Sequence, residues 1–344
     1  MRILLTGHDG FIGSILRPRL GDAGHDVFDL DSLYFHPDEK GTSVKPKDIR
    51  DIQPIDLEGI DAVIHLAALS NDPLGDFAPE LTYDINYSAS VRLAELARDA
   101  GVSRFLYSSS CSMYGVSGED LVTEEAPLSP ITPYAISKTR VEEDVSKLAD
   151  NHFTPIFLRN ATAYGMSPRL RTDLVLNNLV CWAYTTGKVR IMSDGSPWRP
   201  VVHAEDIAQA FEVMIDAPRD VVHNQAFNVG VTSENYRVRD LAQIVAKTVP
   251  GCTVEYAGTA NSDQRSYRVD FSKIARLVPQ FQPHWTAAAG AAEVYEGVMD
   301  AKLTAESFQS REYVRLEQLK YLVSEGRIDD RLRWTDHSKV GIGQ

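Results

Sequence analysis

The sequence predicts an α/β fold built on a doubly wound parallel sheet, with a smaller, interleaved α/β domain. Short apolar runs alternate with segments of helical periodicity over the first half of the chain, which is typical of a parallel sheet covered by helices. After about residue 165 the loops lengthen, and aromatic residues and arginines become denser. With 344 residues, 43% of them hydrophobic and 24% charged, the chain can bury a sizeable core.

Each predicted strand of the large sheet is a short apolar run, as expected for strands that are buried on both faces. A helix follows the first strand, a later helix ends at Gly101, and Thr132-Pro133 is typical of the N-cap and first position of another. The predicted strands are residues 2–6, 26–31, 61–67, 104–108, 155–159 and 226–230.

The order of these elements predicts how the chain is divided. We expect residues 1–165 to form the sheet domain, with residues 205–232 returning to it. Residues 166–204 and 233–344 would form the second domain, which ends in a charged, mostly helical tail.

Composition narrows the classes of function. A net charge of −13 disfavours nonspecific binding to nucleic acid, and no apolar run reaches membrane-spanning length. The three cysteines, Cys111, Cys181 and Cys252, have neither metal-binding nor disulfide spacing, which is typical of a reducing compartment. We therefore expect a cytoplasmic protein without a metal, a nucleic acid partner or a membrane.

Three glycines form the first motif that points to a ligand. Gly7, Gly10 and Gly13 follow a strand and precede a helix, which is the context of a Rossmann-type dinucleotide site. The glycines allow a tight turn and a close approach of the pyrophosphate, whose charge the helix N-terminus favours. Phe11 and Ile12 lie within the same turn, and the alternative is a glycine-rich turn that binds nothing.

Acidic residues near the second strand indicate which dinucleotide is bound. Asp31 ends that strand, where a carboxylate accepts the adenosine ribose hydroxyls and repels a 2′-phosphate, so we expect NAD rather than NADP. Asp29 is a rival, although strand alternation points it to the other face. Asp48 and Ile49 are expected to flank the adenine ring.

Tyr134 and Lys138 form the second motif, because residues four apart share one face of a helix. A phenol is a poor base at neutral pH, but the Lys138 ammonium and a positive nicotinamide would favour its phenolate form. Tyr134 could then accept a proton from a substrate hydroxyl as hydride leaves the carbon, with Ser110 bonding the same hydroxyl. The alternative, a solvated helix face, does not explain why this pair follows a dinucleotide motif.

Together these motifs resemble the extended short-chain dehydrogenase/reductases, and more narrowly the nucleotide-sugar epimerase/dehydratase branch typified by UDP-galactose 4-epimerase. The resemblance covers residues 1 to about 275 and is most specific up to Lys138. It is carried by Thr6-Gly7 with Gly10 and Gly13, His65-Leu66-Ala67-Ala68, Asn86, residues 108–115 (SSSCSMYG), and Tyr134 with Lys138.

The resemblance implies a tightly bound NAD that is recycled within each turnover, and a homodimer formed through the helices after Ile85 and Thr132. It implies Ser110, Tyr134 and Lys138 as the catalytic set. On the cofactor side it implies Leu66, Ala67, Ala68 and Asn86. A nucleoside diphosphate sugar is the implied substrate, held by Ser70, Ser112, Thr162, Asn178, Leu179, Arg199, Arg265 and Arg268.

The chain departs from these relatives at several positions. Sugar 4,6-dehydratases carry an Asp-Glu pair where this chain has Cys111 and Ser112, so a simple dehydratase is not expected. Cys111 is either a proton shuttle or a small buried residue. Ser70 and Thr162 replace a Lys and an Asn that are common in relatives.

The function expected from the sequence is an isomerase of carbohydrate metabolism. It is an NAD-dependent epimerase of a nucleoside diphosphate sugar, acting through a transient keto intermediate at C4. The first alternative is a nucleotide-sugar reductase, dehydrogenase or decarboxylase of the same family. The second is a non-catalytic NAD-binding protein.

Overall fold

The computed structural model describes residues 1–35, 45–70, 72–256 and 265–335. The strands are β1 (Arg2–Thr6), β2 (Asp26–Leu30), β3 (Ala62–His65), β4 (Arg104–Ser110), β5 (Val116–Val122), β6 (Thr154–Asn160), β7 (Thr162–Tyr164), β8 (Lys188–Ile191), β9 (Trp198–His203), β10 (Gln225–Val229), β11 (Asn235–Arg237), β12 (Thr253–Tyr256) and β13 (Ser266–Val269).

Helices cover the strands, and single turns connect them. The α-helices are α1 (Gly13–Asp22), α2 (Asp72–Phe77), α3 (Pro79–Thr82), α4 (Ala89–Asp99), α5 (Pro133–Val145), α6 (Val175–Thr186), α7 (Ala204–Asp216), α8 (Arg219–Val222), α9 (Val238–Thr248), α10 (Ser272–Leu277), α11 (Ala287–Asp300) and α12 (Arg315–Ser324). A π-helical turn spans Tyr83–Ser88, and 3₁₀ turns span Ile49–Asp51, Pro54–Leu57, Cys111–Tyr114, Ser146–Leu148 and Ser307–Gln309. None of the described helices is long and apolar enough to cross a membrane.

The large sheet has six parallel strands in the order β2-β1-β3-β4-β6-β10. Because consecutive strands are parallel, the chain crosses back through helices that cover both faces. Alternation along β1 shows this: Ile3 and Leu5 pack with α1 and α7 on one face, while Leu4 packs with α4 on the other. The predicted α/β fold with a doubly wound parallel sheet is confirmed.

A second region forms beside the carboxyl ends of these strands. Its core lies among α6, α9 and α11 and includes Leu179, Leu241 and Val294. Three small sheets complete it: β7-β9-β11, β8-β12 and β5-β13. Within the returning segment, β10 pairs with β6 in the large sheet.

The C-terminal tail divides between the two regions, since Leu303 and Phe308 are buried in the core of the second region and α12 is not. Leu319 and Leu322 of α12 are buried with Tyr34 and Leu30 in the core cluster of the large sheet. The sequence predicts a helical tail but not this position, which places residues 315–335 beside the loop after β2.

Candidate active site

A cavity of about 550 Å³ lies between the large sheet and the second region. It is lined by the carboxyl ends of β1, β2, β3, β4 and β6 and by residues of the second region. In open α/β sheets this edge is where ligands bind, because strand ends and helix N-termini meet there.

The glycine turn forms one wall of the cavity. Gly7 has a φ of +77°, and a Cβ on it would lie 2.7 Å from the backbone nitrogen of Ala67. A Cβ on Gly13 would lie 2.1 Å from the carbonyl oxygen of Gly7. Gly10, Phe11 and Ile12 also line the cavity. The turn can therefore hold only glycine at its two ends, and it leaves the N-terminus of α1 open to a phosphate.

Asp31 lines the cavity at the end of β2, whereas the rival Asp29 pairs with Arg17 at 3.1 Å. The Asp31 carboxylate accepts backbone hydrogen bonds from Asp9 at 3.1 Å and Leu33 at 2.9 Å. Burial nevertheless raises the pKa of Asp31. A half-buried carboxylate facing a cavity suits ribose hydroxyls, so the residues present fit an NAD molecule at this wall.

Asp48 and Ile49 also line the cavity, on the side where the adenine ring is expected. The Asp48 carboxylate accepts from the backbone nitrogen of Arg50 at 2.8 Å and from Nη2 of the same residue at 2.6 Å. Burial opposes ionisation, but these hydrogen bonds lower the pKa of Asp48 overall. Asp48 thus fixes the shape of the wall.

Leu66, Ala67 and Ala68 line the cavity after β3, but Asn86 does not. Asn86 is buried and holds the backbone of Leu69 at both ends, accepting from its nitrogen at 2.8 Å and donating to its oxygen at 3.0 Å. The structure thus gives Asn86 a supporting position behind the wall instead of a place in it.

The predicted catalytic residues converge on the opposite wall. Thr132 caps α5 by accepting from the backbone nitrogen of Ala135 at 3.2 Å, and the helix carries Tyr134 and Lys138 into the cavity. Ser110, at the end of β4, lies beside Tyr134 in the cavity wall and lowers the pKa of its phenol. Lys138 Nζ lies 5.6 Å from the Tyr134 ring centroid and donates to the carbonyl oxygen of Ser108 at 2.7 Å.

The protonation states differ from the sequence-based expectation. Burial and the charge of Asp72 raise the pKa of Tyr134 to about 12, against the lowering effects of Ser110 and of Arg171. Burial lowers the pKa of Lys138 to about 7, although the Glu142 charge opposes this. The sequence-based expectation invoked both the Lys138 ammonium and a positive nicotinamide; in the protein without its cofactor, desolvation keeps the pKa of the Tyr134 phenol high.

A buried ion pair supports Lys138 from behind. Glu142, one turn further along α5, accepts from Arg159 Nη2 at 2.7 Å and from Ser109 Oγ at 2.5 Å. Both members of the pair are about one-tenth exposed or less. The pair joins α5 to β6 and β4, and it fixes the helix that carries the catalytic residues.

Cys111 and Ser112 take different positions. Cys111 is completely buried, donates to the carbonyl oxygen of Arg159 at 3.1 Å and does not line the cavity, and burial raises its pKa well above the ordinary value. Ser112 lines the cavity, and its Oγ lies 2.9 Å from that of Ser110. Of the two interpretations of Cys111, the geometry favours the small buried residue.

The second region contributes most of the predicted substrate residues. Arg199 and Arg265 line the cavity and contact each other, since Arg199 donates to the Arg265 carbonyl. Arg265 also pairs with Asp72. The other predicted residues in the lining are Ser70, Thr162, Asn178 and Leu179.

Arg268 is the exception, and its prediction as a substrate ligand is wrong. Its guanidinium lies 4.7 Å from the Trp198 ring centroid and donates to the Glu119 carbonyl at 2.9 Å, outside the cavity. Side chains alternate along β13, so Tyr267 lines the cavity and Arg268, the next residue, faces away from it.

Several charged residues of the cavity were not predicted from the sequence, among them Arg171, Asp173, Asp72 and Arg315. Arg171 donates to Ser70 Oγ at 3.0 Å and pairs with Asp173 at 2.8 Å. Asp72 lies beside Tyr134, and Arg315 enters from α12. The many arginines after residue 165 were the sequence pattern that could have pointed to Arg171. No comparable pattern singled out Asp72 or Arg315. Among the described residues, no cluster of His, Cys, Asp and Glu could hold a metal ion.

The fold and the cavity define a dinucleotide-binding α/β enzyme with a tyrosine, Tyr134, in the cavity wall. Residues 3–230 match the model of the NAD dependent epimerase/dehydratase family. The chain belongs to this family, and its cofactor is NAD.

Individual relatives agree with this assignment. The chain is 31% identical to the UDP-glucose 4-epimerase of Mycolicibacterium smegmatis, over 86% of this chain and 98% of that relative. It is 28% identical to the UDP-glucose 4-epimerase of Bacillus subtilis, over 74% and 84%. The structure of MoeE5 in complex with UDP-glucuronic acid and NAD superposes with a TM-score of 0.76 at 25% identity, over 88% and 100%.

Proposed function

We propose that the protein is an NAD-dependent epimerase that inverts C4 of the sugar in a nucleoside diphosphate sugar, through a transient keto intermediate. The observation that carries the proposal is that Tyr134, Ser110 and Lys138 line the same cavity as the glycine turn. Curated relatives named UDP-glucose 4-epimerase support the choice of reaction.

Bound NAD would supply a hydride acceptor that returns the hydride within the same turnover. Tyr134 would accept the proton of the C4 hydroxyl during oxidation and give it back during reduction. Ser110 would hydrogen-bond the same oxygen and fix its position relative to Tyr134. Because the proton and the hydride both return, no net oxidation occurs.

The residues after Ser110 argue against elimination of water. Cys111 is buried away from the cavity, and Ser112 has no ionisable group near neutral pH. The acid–base pair that sugar dehydratases use is therefore not available at these positions, and oxidation followed by reduction is the simpler chemistry.

The arginines of the second region would hold the diphosphate. A planar guanidinium binds a phosphate through two parallel hydrogen bonds and keeps its charge, which suits Arg199 and Arg265. Arg265 pairs with Asp72 in this structure, so a bound diphosphate would compete with that carboxylate. The diphosphate would remain in place while the keto sugar turns over.

The test is turnover of a panel of nucleotide sugars, beginning with UDP-glucose and UDP-glucuronic acid, followed by NMR of the sugar. We expect a C4 epimer without net change in the absorbance of reduced nicotinamide. Tyr134→Phe should lower the rate by about 10²–10⁴-fold. The matched control is Tyr236→Phe, because the Tyr236 hydroxyl donates to Glu234 at 3.2 Å and lies outside the cavity.

Three outcomes would overturn the proposal. A lasting change in nicotinamide absorbance would indicate a reductase or dehydrogenase. Loss of carbon dioxide from a uronic acid substrate would indicate a decarboxylase. Retention of NAD with no turnover of any sugar, and no effect of Tyr134→Phe, would indicate a non-catalytic NAD-binding protein.

Two further expectations accompany the proposal. The homodimer predicted through α4 and α5 is checked by the mass of the protein in solution. The cytoplasmic location is checked by fractionating cells that express the protein.

A further inference from the structure

The C-terminal segment, residues 315–335, packs against the loop that follows β2. Gln318 Nε2 donates to the carbonyl oxygen of Tyr34 at 2.9 Å, and Trp334 Nε1 donates to that of Ser32 at 2.8 Å. The Tyr34 hydroxyl donates in turn to the carbonyl oxygen of Leu332 at 2.5 Å. This segment lies beyond residues 3–230, the part of the chain that matches the family model. It borders the side of the cavity lined by Asp31 and Asp48, where the adenosine of NAD is expected and which is called the adenosine side below.

Arg315, the first residue of α12, lines the cavity although only 3% of it is exposed. Its guanidinium lies 4.2 Å from the Phe35 ring centroid. A guanidinium has five donor N–H groups, but among the described residues Arg315 makes one hydrogen bond, to the Arg169 carbonyl at 3.4 Å. Within the same ranges it forms no ion pair.

The acidic residues near Arg315 are already bound to other groups. Asp9 pairs with Arg169 at 2.5 Å, and Asp173 pairs with Arg171 at 2.8 Å. Asp31 accepts two backbone hydrogen bonds. Burial lowers the pKa of Arg315 to about 10, which reflects a desolvated cation that lacks a full counter-charge. A buried, poorly paired cation at a cavity wall favours an anionic ligand.

We propose that Arg315 binds the pyrophosphate of NAD, so that the C-terminal segment closes the adenosine side of the cavity and slows cofactor release. Asp9 of the glycine turn and Asp31 both act electrostatically on Arg315, which places it near the expected phosphates. A 2′-phosphate is the other anion that could reach this wall, but Asp31 would repel it. The inference depends on NAD binding and not on the identity of the sugar.

The test compares Arg315→Gln and Arg315→Lys with the matched control Lys320→Gln. Lys320 lies on the same helix, is half exposed and pairs with Glu317, so the control removes the same charge outside the cavity. The measurements are NAD retained on purification, the rate of NAD release, and calorimetric affinities for NAD, NADP, ADP-ribose and adenosine.

For Arg315→Gln we expect affinities for NAD and ADP-ribose to fall by about 10- to 100-fold and NAD release to accelerate, because a charged hydrogen bond to phosphate is lost. The affinity for adenosine should be unchanged. Arg315→Lys keeps the charge but not the planar fork and should show a smaller loss. Lys320→Gln should match the unmodified protein.

The proposal is overturned if Arg315→Gln binds NAD as tightly as the unmodified protein. An equal loss of adenosine affinity would show a structural role for the residue, and a loss confined to NADP would assign it to a 2′-phosphate. If Arg315→Gln does not fold, undiminished NAD affinity and release rate in Arg315→Lys would refute the proposal equally. Since none of these measurements uses a sugar, they stand apart from the test of epimerase activity.

Discussion

Replacing Lys138 by Met should make the cofactor-free protein more stable near neutral pH while it removes activity. Burial lowers the pKa of Lys138 from 10.5 to about 7. At about 1.4 kcal/mol per pKa unit, this shift corresponds to about 5 kcal/mol of lost stability when the lysine is protonated in both states. Losing the hydrogen bond to the Ser108 carbonyl costs about 1–3 kcal/mol, so we expect a net gain of about 2–4 kcal/mol at about pH 6.

The pH dependence provides the sharper test. Because the folded pKa lies below the unfolded one, the unfolded chain binds more protons between pH 7 and 10.5, and the stability of the unmodified protein should rise across this window. Urea unfolding of Lys138→Met should lack that rise. Lys147→Met is the control, because the Lys147 side chain is 70% exposed and its loss should keep the rise. A variant that is less stable at about pH 6, or that keeps the full pH slope, would refute the reasoning.

Three further substitutions test the site. Glu142→Gln should lower the free energy of unfolding by about 3 kcal/mol in urea, because it leaves the buried Arg159 without its carboxylate; a loss below about 1 kcal/mol would contradict this. Cys111→Ala should leave the rate of epimerisation nearly unchanged, since the thiol lies outside the cavity, whereas a large loss would restore its role in proton transfer. Gly7→Ala should abolish retention of NAD, because its Cβ would lie 2.7 Å from the backbone of Ala67; a full complement of NAD after purification would count against it.

The large sheet could be predicted because its signals are local. A strand buried on both faces has to be a short apolar run, and all six predicted runs overlap the six strands of the parallel sheet. The glycine turn and the pair of Tyr134 and Lys138 are also local, since their spacing fixes a turn and a helix face. These motifs were therefore enough to predict the fold and the two opposite walls of the cavity.

The remaining cavity residues depend on contacts between distant parts of the chain. Arg315 reaches the cavity only because α12 packs against the loop after β2, and no local pattern specifies that docking. Arg268 shows the converse error, because a charged residue near Arg265 was assigned to the ligand before β13, which contains Arg268 but not Arg265, was known. Without β13, the alternation that turns Arg268 toward Trp198 could not be applied.

The protonation states indicate that the catalytic phenol depends on its cofactor. In the protein alone, burial and Asp72 keep Tyr134 protonated, and Lys138 carries only part of a charge near neutral pH because its own pKa is about 7. A positive nicotinamide would lower the pKa of Tyr134, but it would also lower that of Lys138. The charge of Glu142 raises the pKa of Lys138 and so favours its charged form. The buried pair of Glu142 and Arg159 therefore supports the charge of Lys138 as well as the stability of the fold. The phenol would thus become an effective base only with NAD in place, and a cofactor that stays bound between turnovers keeps it so.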